Sequence, residues 1–217
     1  MAIIPITTIH TVHKMQNASK VTHLYLYGDI VSDSNVWYDS DVSPMRVKEM
    51  LDKASDEIVV HISSYGGDAF AGIAIYNLLK DSGKKITTQI DSIGASSASI
   101  IAMAGEEIVF GTGAQIMIHN PSTFCWGDKA EFEKVLKSLD SCKQSIIDIY
   151  GSHAVDGVDY DALMSAETWA TYEQAQNIFS KVSTRPSSGK DGAITNRFQT
   201  RQQQFNQILT NQNQSNK

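Results

Sequence analysis

Apolar and polar residues alternate through VTHLYLYGDIV from Val21, and this period of two predicts a strand with Leu24, Leu26 and Ile30 on one face. The polar stretch SDSNVWYDSD ends it, and Ser43-Pro44 opens a helix in which Met45, Val47, Met50 and Leu51 recur at near-helical spacing. The β-branched run EIVVHISS reads as a second strand, closed by the turn-forming YGGD. In AFAGIAIYNLLKDSG, Ala71, Ile75, Leu78 and Leu79 build a helical stripe that Gly83 stops. KKITTQIDSI is a third strand. It runs straight into GASSASIIAMAG, whose apolar second half predicts a buried helix, and EEIVFGTGAQIMIHN supplies two more strands.

Such alternation predicts an α/β domain with mostly parallel strands and right-handed crossovers. Beyond it, DKAEFEKVLKSLDSCKQSIIDIY places Phe132, Val135, Leu139, Ile146 and Ile149 on one face of a long helix over about 128–150. A shorter helical piece is expected over YDALMSAETWATYEQAQNIF. From about Thr184 the chain turns to Gln, Asn, Ser and Thr, a composition that cannot bury enough apolar surface to offset its ordering entropy. The expected division is a domain over 1–183 and a polar, flexible tail over 184–217, where Phe198, Phe205, Ile208 and Leu209 offer a weak amphipathic helix to a partner.

Composition narrows the function. With 217 residues, 41% of them hydrophobic and 19% charged, the chain suits one substantial core. A net charge of −6 argues against nucleic-acid binding by phosphate neutralisation. Cys125 and Cys142 lack metal-ligand spacing and read as cytosolic thiols, and no metal or cofactor is expected. The opening MAIIPITTIHTVHKM has neither a basic start nor a long apolar run, and no segment reaches the ~20 apolar residues that span a bilayer. The expectation is a soluble cytoplasmic protein without membrane or nucleic-acid partners.

Three patterns carry candidate chemistry: SSYGGDAFAG at 63–72, GASSASIIAMAG at 94–105 and MIHNP at 117–121. A serine opening a buried helix sits beside free backbone amides that stabilise an oxyanion, a glycine pair offers more amides unobstructed by Cβ, and a histidine accepts the serine proton. Together they point to acyl transfer. Each also has a plainer reading: a turn, close helix packing, a hydrogen-bonded histidine.

These motifs in this order resemble the Clp-type serine proteases, most closely the Clp-like proteases of tailed phages and prophages, from about Leu24 through Lys181. The resemblance implies a Clp protease/crotonase-like fold of repeated β-β-α-type units with the long helix protruding. It implies a serine endopeptidase with Ser96 as nucleophile, His119 as general base, and an oxyanion hole built from the amides of Gly66, Gly67 and Ser97. Ser92 and Ser99 become supporting residues, while His61 and His153 are rival bases outside the motif. Glu167 in ETWATYEQA fits the register of the third triad member, with Asp161 as the alternative acid; Glu167 also suits a helix-capping role.

The resemblance further implies a polypeptide substrate, homo-oligomeric rings stacked through helix 128–150, a separate ATP-dependent unfoldase as a partner, and capsid or scaffold processing during phage head maturation in the host cytoplasm. The sequence has no G-x-x-x-x-G-K-[ST] of its own. A crotonase-fold acyl-CoA enzyme and an inactive capsid-assembly or scaffold module are the alternative readings. Two departures stand out: Tyr65 where a proline often precedes the glycine pair, and QNIFSKV in place of a Tyr-Gly-Leu-Val-Asp type of ending.

Overall fold

A computed structural model describes residues 21–185. The amphipathic-tail reading over 198–209 and the opening segment lie outside the described residues, as does all but the start of the expected tail.

The alternating segments form β1 (Val21–Tyr27), β2 (Glu57–Ser64) and β3 (Lys85–Ala95), joined through α1 (Pro44–Lys53) and α2 (Ala69–Lys80). Pro44 at the first helical position starts α1, and the Asp68 side chain caps α2 by accepting from the Ala71 amide at 3.0 Å. Gly83, at φ 68°, turns the chain after α2. β4 (Glu107–Phe110), β5 (Gln115–Ile118), β6 (Thr168–Thr171) and β7 (Val182–Thr184) complete a seven-stranded sheet with the parallel path β1-β2-β3-β4-β7. Leu24, Leu26, Ile58, Val60, Ile62, Ile86 and Ile90 are all buried, each contributing about 1.5–3 kcal/mol of burial free energy.

β3 forks. Thr87–Ile90 pair with β4, whereas Ile93–Ala95 pair with β5, and the turn between the two partners starts at Gly111, whose amide donates to the Ile90 carbonyl at 2.8 Å. Where β3 changes partner it also shifts register against β2, so Ile62 faces Ile90 but Ser64 faces Gly94. Such irregularities re-aim a strand, and this one delivers β3 into α3 (Ser97–Ala102), which is buried throughout.

One expectation is corrected. The single helical piece over 160–179 is α5 (Tyr160–Ser165), then β6, then the short α6 (Tyr172–Ala175). Glu167 adopts φ 51° and breaks the helix, after which the Thr-Trp-Ala-Thr run finds the free edge of β5 and pairs with it antiparallel. The long helix α4 (Lys129–Gly151) forms as expected, with its apolar stripe half covered: Cys142, Ile146 and Tyr150 are buried, while Phe132 is 47% and Leu136 60% exposed. The first turns of α4 extend past the surface that the described residues offer them.

Candidate active site

At the junction of β3 and α3, Ser96 takes φ 54° and ψ −126°, a conformation rare for a residue with a Cβ. Its amide donates to the Met117 carbonyl of β5 at 2.9 Å. Two residues beyond Met117, just past the end of β5, His119 brings Nε2 to 2.8 Å from Ser96 Oγ. With its proton on Nδ1, the imidazole accepts the serine hydroxyl. Both side chains are part-exposed, so the pair is open to a reactant.

The glycine turn lies against this pair. A Cβ on Gly66, which has φ 96°, would stand 2.6 Å from the Ala95 carbonyl oxygen and 2.7 Å from Ser96 Cβ, so only glycine permits the approach. Gly66 donates its amide to Ser64 Oγ at 3.0 Å, while the Ser64 hydroxyl donates to the Gly28 carbonyl. That engagement corrects the expectation that both glycine amides are available. Ile30 bonds the Gly66 carbonyl and the Asp68 amide, which leaves the Gly67 N–H directed away from Ile30. Ser97, the first residue of α3, carries an amide with no intrahelical acceptor. The Ser97 hydroxyl is buried without a hydrogen-bond partner among the described residues, and the residue's Cβ and backbone pack on Gly72 of α2.

Neither candidate acid is hydrogen-bonded to His119. Asp161 forms an ion pair with Lys143 at 2.8 Å and is exposed. Glu167 accepts from Trp169 Nε1 at 3.4 Å. Its position is nonetheless specific: Ile118 pairs with Thr168, so continuing the antiparallel register by one step sets Glu167 opposite His119. The only other structural role visible for Glu167 is the helix-breaking turn; the cap of α6 belongs to Thr171 and Gln174.

The rival histidines are engaged elsewhere. His153 is 3% exposed, with Nε2 2.9 Å from the Gly105 carbonyl and Nδ1 3.0 Å from Ser152 Oγ, and burial holds its pKa below the usual imidazole range. His61 belongs to a cluster that sequence reasoning missed, on the sheet face opposite the helices. Its Nδ1 lies 2.7 Å from Asp91 Oδ2 and its Nε2 2.9 Å from His23 Nδ1, while Tyr25 stacks on the ring. Burial pushes the Asp91 carboxyl up, but hydrogen bonds from Tyr27, Gln89 and His61 more than offset this and hold it below its ordinary value. The signal was the parallel register, which sets Tyr25, His61 and Gln89 side by side across three strands. Ser92 also faces this side, 2.7 Å from Ser63 Oγ, and not the Ser96 site.

The profile of the Clp protease family matches residues 14–178. The chain belongs to the Clp protease family. Similar curated proteins include an ATP-dependent Clp protease proteolytic subunit of Bacteroides fragilis, 24% identical over 125 residues that cover 55% of this chain and 59% of the relative. A Deinococcus radiodurans protein of the same description is 28% identical over 99 residues, covering 45% and 48% of the two chains. The match thus spans about half the length of these Clp relatives. Among solved structures, a ClpP1 mutant from Listeria monocytogenes shares the Clp fold with a TM-score of 0.60 at 18% identity, covering 77% of this chain and 93% of that one. Among the described residues no helix is long and apolar enough to cross a membrane, and no group of His, Cys, Asp and Glu is arranged to hold a metal ion.

Proposed function

We propose that this Clp family member is a serine endopeptidase in which Ser96 attacks a peptide carbonyl and His119 carries the proton to the leaving amine. The reading rests on one observation, the 2.8 Å approach of Ser96 Oγ to His119 Nε2 on a backbone held at positive φ. The amides of Gly67 and Ser97 receive the tetrahedral oxyanion, and Gly66 serves by close approach alone. Glu167, opposite His119 in the extended register, is the third member of the triad, a role that calls for its carboxylate to turn from Trp169 toward Nδ1. An extended polypeptide substrate adds as a strand beside the glycine turn.

The exposed Phe132 and Leu136 on α4 support a homo-oligomer built through that helix. The relatives named ATP-dependent proteolytic subunits support a separate ATPase that unfolds substrates. The phage-type motifs support capsid or scaffold protein as substrate, in the host cytoplasm. An acyl-CoA enzyme of this fold works with carboxylates at its amide cradle, where this chain has a serine and an imidazole. The test is a fluorophosphonate probe, intact mass and peptide mapping. Modification at Ser96 that vanishes in a folded Ser96→Ala variant is expected; labelling that persists in this variant overturns the reading.

A further inference from the structure

A chain of buried hydroxyls outside the Ser96–His119 pair ends on the backbone of Ser96 itself. Ser99, in the first turn of α3, is 0% exposed, and its Oγ lies 2.5 Å from the Ser96 carbonyl oxygen and 2.7 Å from the Tyr150 hydroxyl of α4. The direction of this chain is forced. A carbonyl only accepts, so the single Ser99 proton goes to Ser96, and Tyr150 must donate to Ser99 Oγ. The Ser99 amide gives the same carbonyl a second donor at 2.9 Å. Burial pushes the Tyr150 phenol far above its ordinary pKa, so it stays a neutral donor, its ring packed at 5.7 Å against each of the stacked rings of Tyr160 and Phe179.

The Ser96 carbonyl and the Ser97 N–H belong to one planar peptide group and point in opposite directions. Whatever fixes the carbonyl therefore aims the amide. Donors on the carbonyl also polarise the peptide and make its N–H a stronger donor. A helix cap needs only the Ser99 amide; the two hydroxyls behind it are additional. Ser96 occupies a backbone region that persists only where its surroundings over-determine it, and the Met117 bond fixes only the N-terminal side.

We propose that Tyr150 and Ser99 are positioning residues that aim the Ser97 amide at the oxyanion, tying helix α4 to the reaction. This rests on the reading of Ser96 as nucleophile. Tyr150→Phe, Ser99→Ala and the double variant are compared in the rate of fluorophosphonate modification of Ser96. Tyr160→Phe is the control, because it removes a buried phenol that donates elsewhere, to the Ile178 carbonyl at 2.8 Å.

Each single variant is expected to slow modification by about tenfold to a hundredfold at saturating probe with unchanged probe affinity. The double variant should match the slower single one, since the groups act in series. Tyr160→Phe should lower thermal stability and leave the rate alone. Folded Tyr150→Phe and Ser99→Ala proteins that react at the wild-type rate overturn the proposal, as does a multiplicative double variant. In parallel, the Ser97 amide resonance of 15N-serine-labelled protein should move upfield in both variants. A wild type that never reacts at Ser96 defeats the peptidase reading alone; a Ser97 resonance unmoved in both variants defeats the positioning chain.

Discussion

Ser96 donates its amide to the Met117 carbonyl at 2.9 Å, which fastens the residue bearing the hydroxyl to the strand that leads into His119. The two groups are therefore positioned by one backbone ladder. The pair also needs no acid to hold it together in this structure, because Ser96 Oγ and His119 Nε2 already meet at 2.8 Å.

The acid instead decides the tautomer and the stability of the imidazolium. Glu167→Gln is expected to lower kcat by on the order of 10²–10⁴ with little change in KM, as loss of an orienting carboxylate does. Asp161→Asn weakens an ion pair with Lys143 whose carboxylate side is exposed, worth on the order of 1 kcal/mol, and should leave kcat within a factor of two or so. Steady-state peptide cleavage separates them. The opposite ranking would move the acid to Asp161.

Gly66→Ala forces a methyl group to within 2.7 Å of Ser96 Cβ at a backbone φ of 96°. The strain costs on the order of 1–3 kcal/mol, and relief by moving Ser96 should reduce probe labelling a hundredfold or so. Thermal melts and labelling rates together test this. An alanine variant of native stability and rate contradicts the contact.

Burial depresses the His153 pKa in the folded protein, so the unfolded chain binds more protons once the pH falls below about 6.5. Its contribution to stability is thus complete above that value and declines as pH falls toward the folded pKa. Melting temperature is expected to drop between pH 7 and pH 5. His153→Gln should flatten that part of the curve while lowering stability by about 1–3 kcal/mol at pH 7 through the disturbed bond to Gly105. A slope identical in the variant removes His153 as its source.

Phe132→Asp with Leu136→Asp should shift the protein to smaller species by light scattering, with little change in its melting temperature as a monomer, because the described residues leave both side chains largely exposed. Assemblies of undiminished size would place the interface elsewhere.

Much of this was legible in the residues. Period-two alternation located β1 and a β-branched run located β2, Pro44 and Gly83 marked helix ends, and the resemblance carried by the ordered motifs picked out Ser96, His119 and the glycine turn. The split of 160–179 was not legible, because β6 exists only by virtue of the open edge of β5, a non-local partner that overrides helical spacing. The inertness of the Gly66 amide depends on a hydroxyl two residues earlier being turned inward. Nor does helical spacing reveal whether a stripe such as Phe132, Val135 and Leu139 is met by its own domain.

The fork in β3 makes the short link after Gly111 a splice between two pairings. An inserted residue that the turn does not absorb would slide β5 along β3 by roughly 3.3 Å, invert its faces and carry the imidazole out of reach of the serine. Extra length between Pro121 and Asp128 enters after both groups are anchored. Loop grafting in this scaffold therefore has a permissive flank and a forbidden one, only a few residues apart on either side of the histidine.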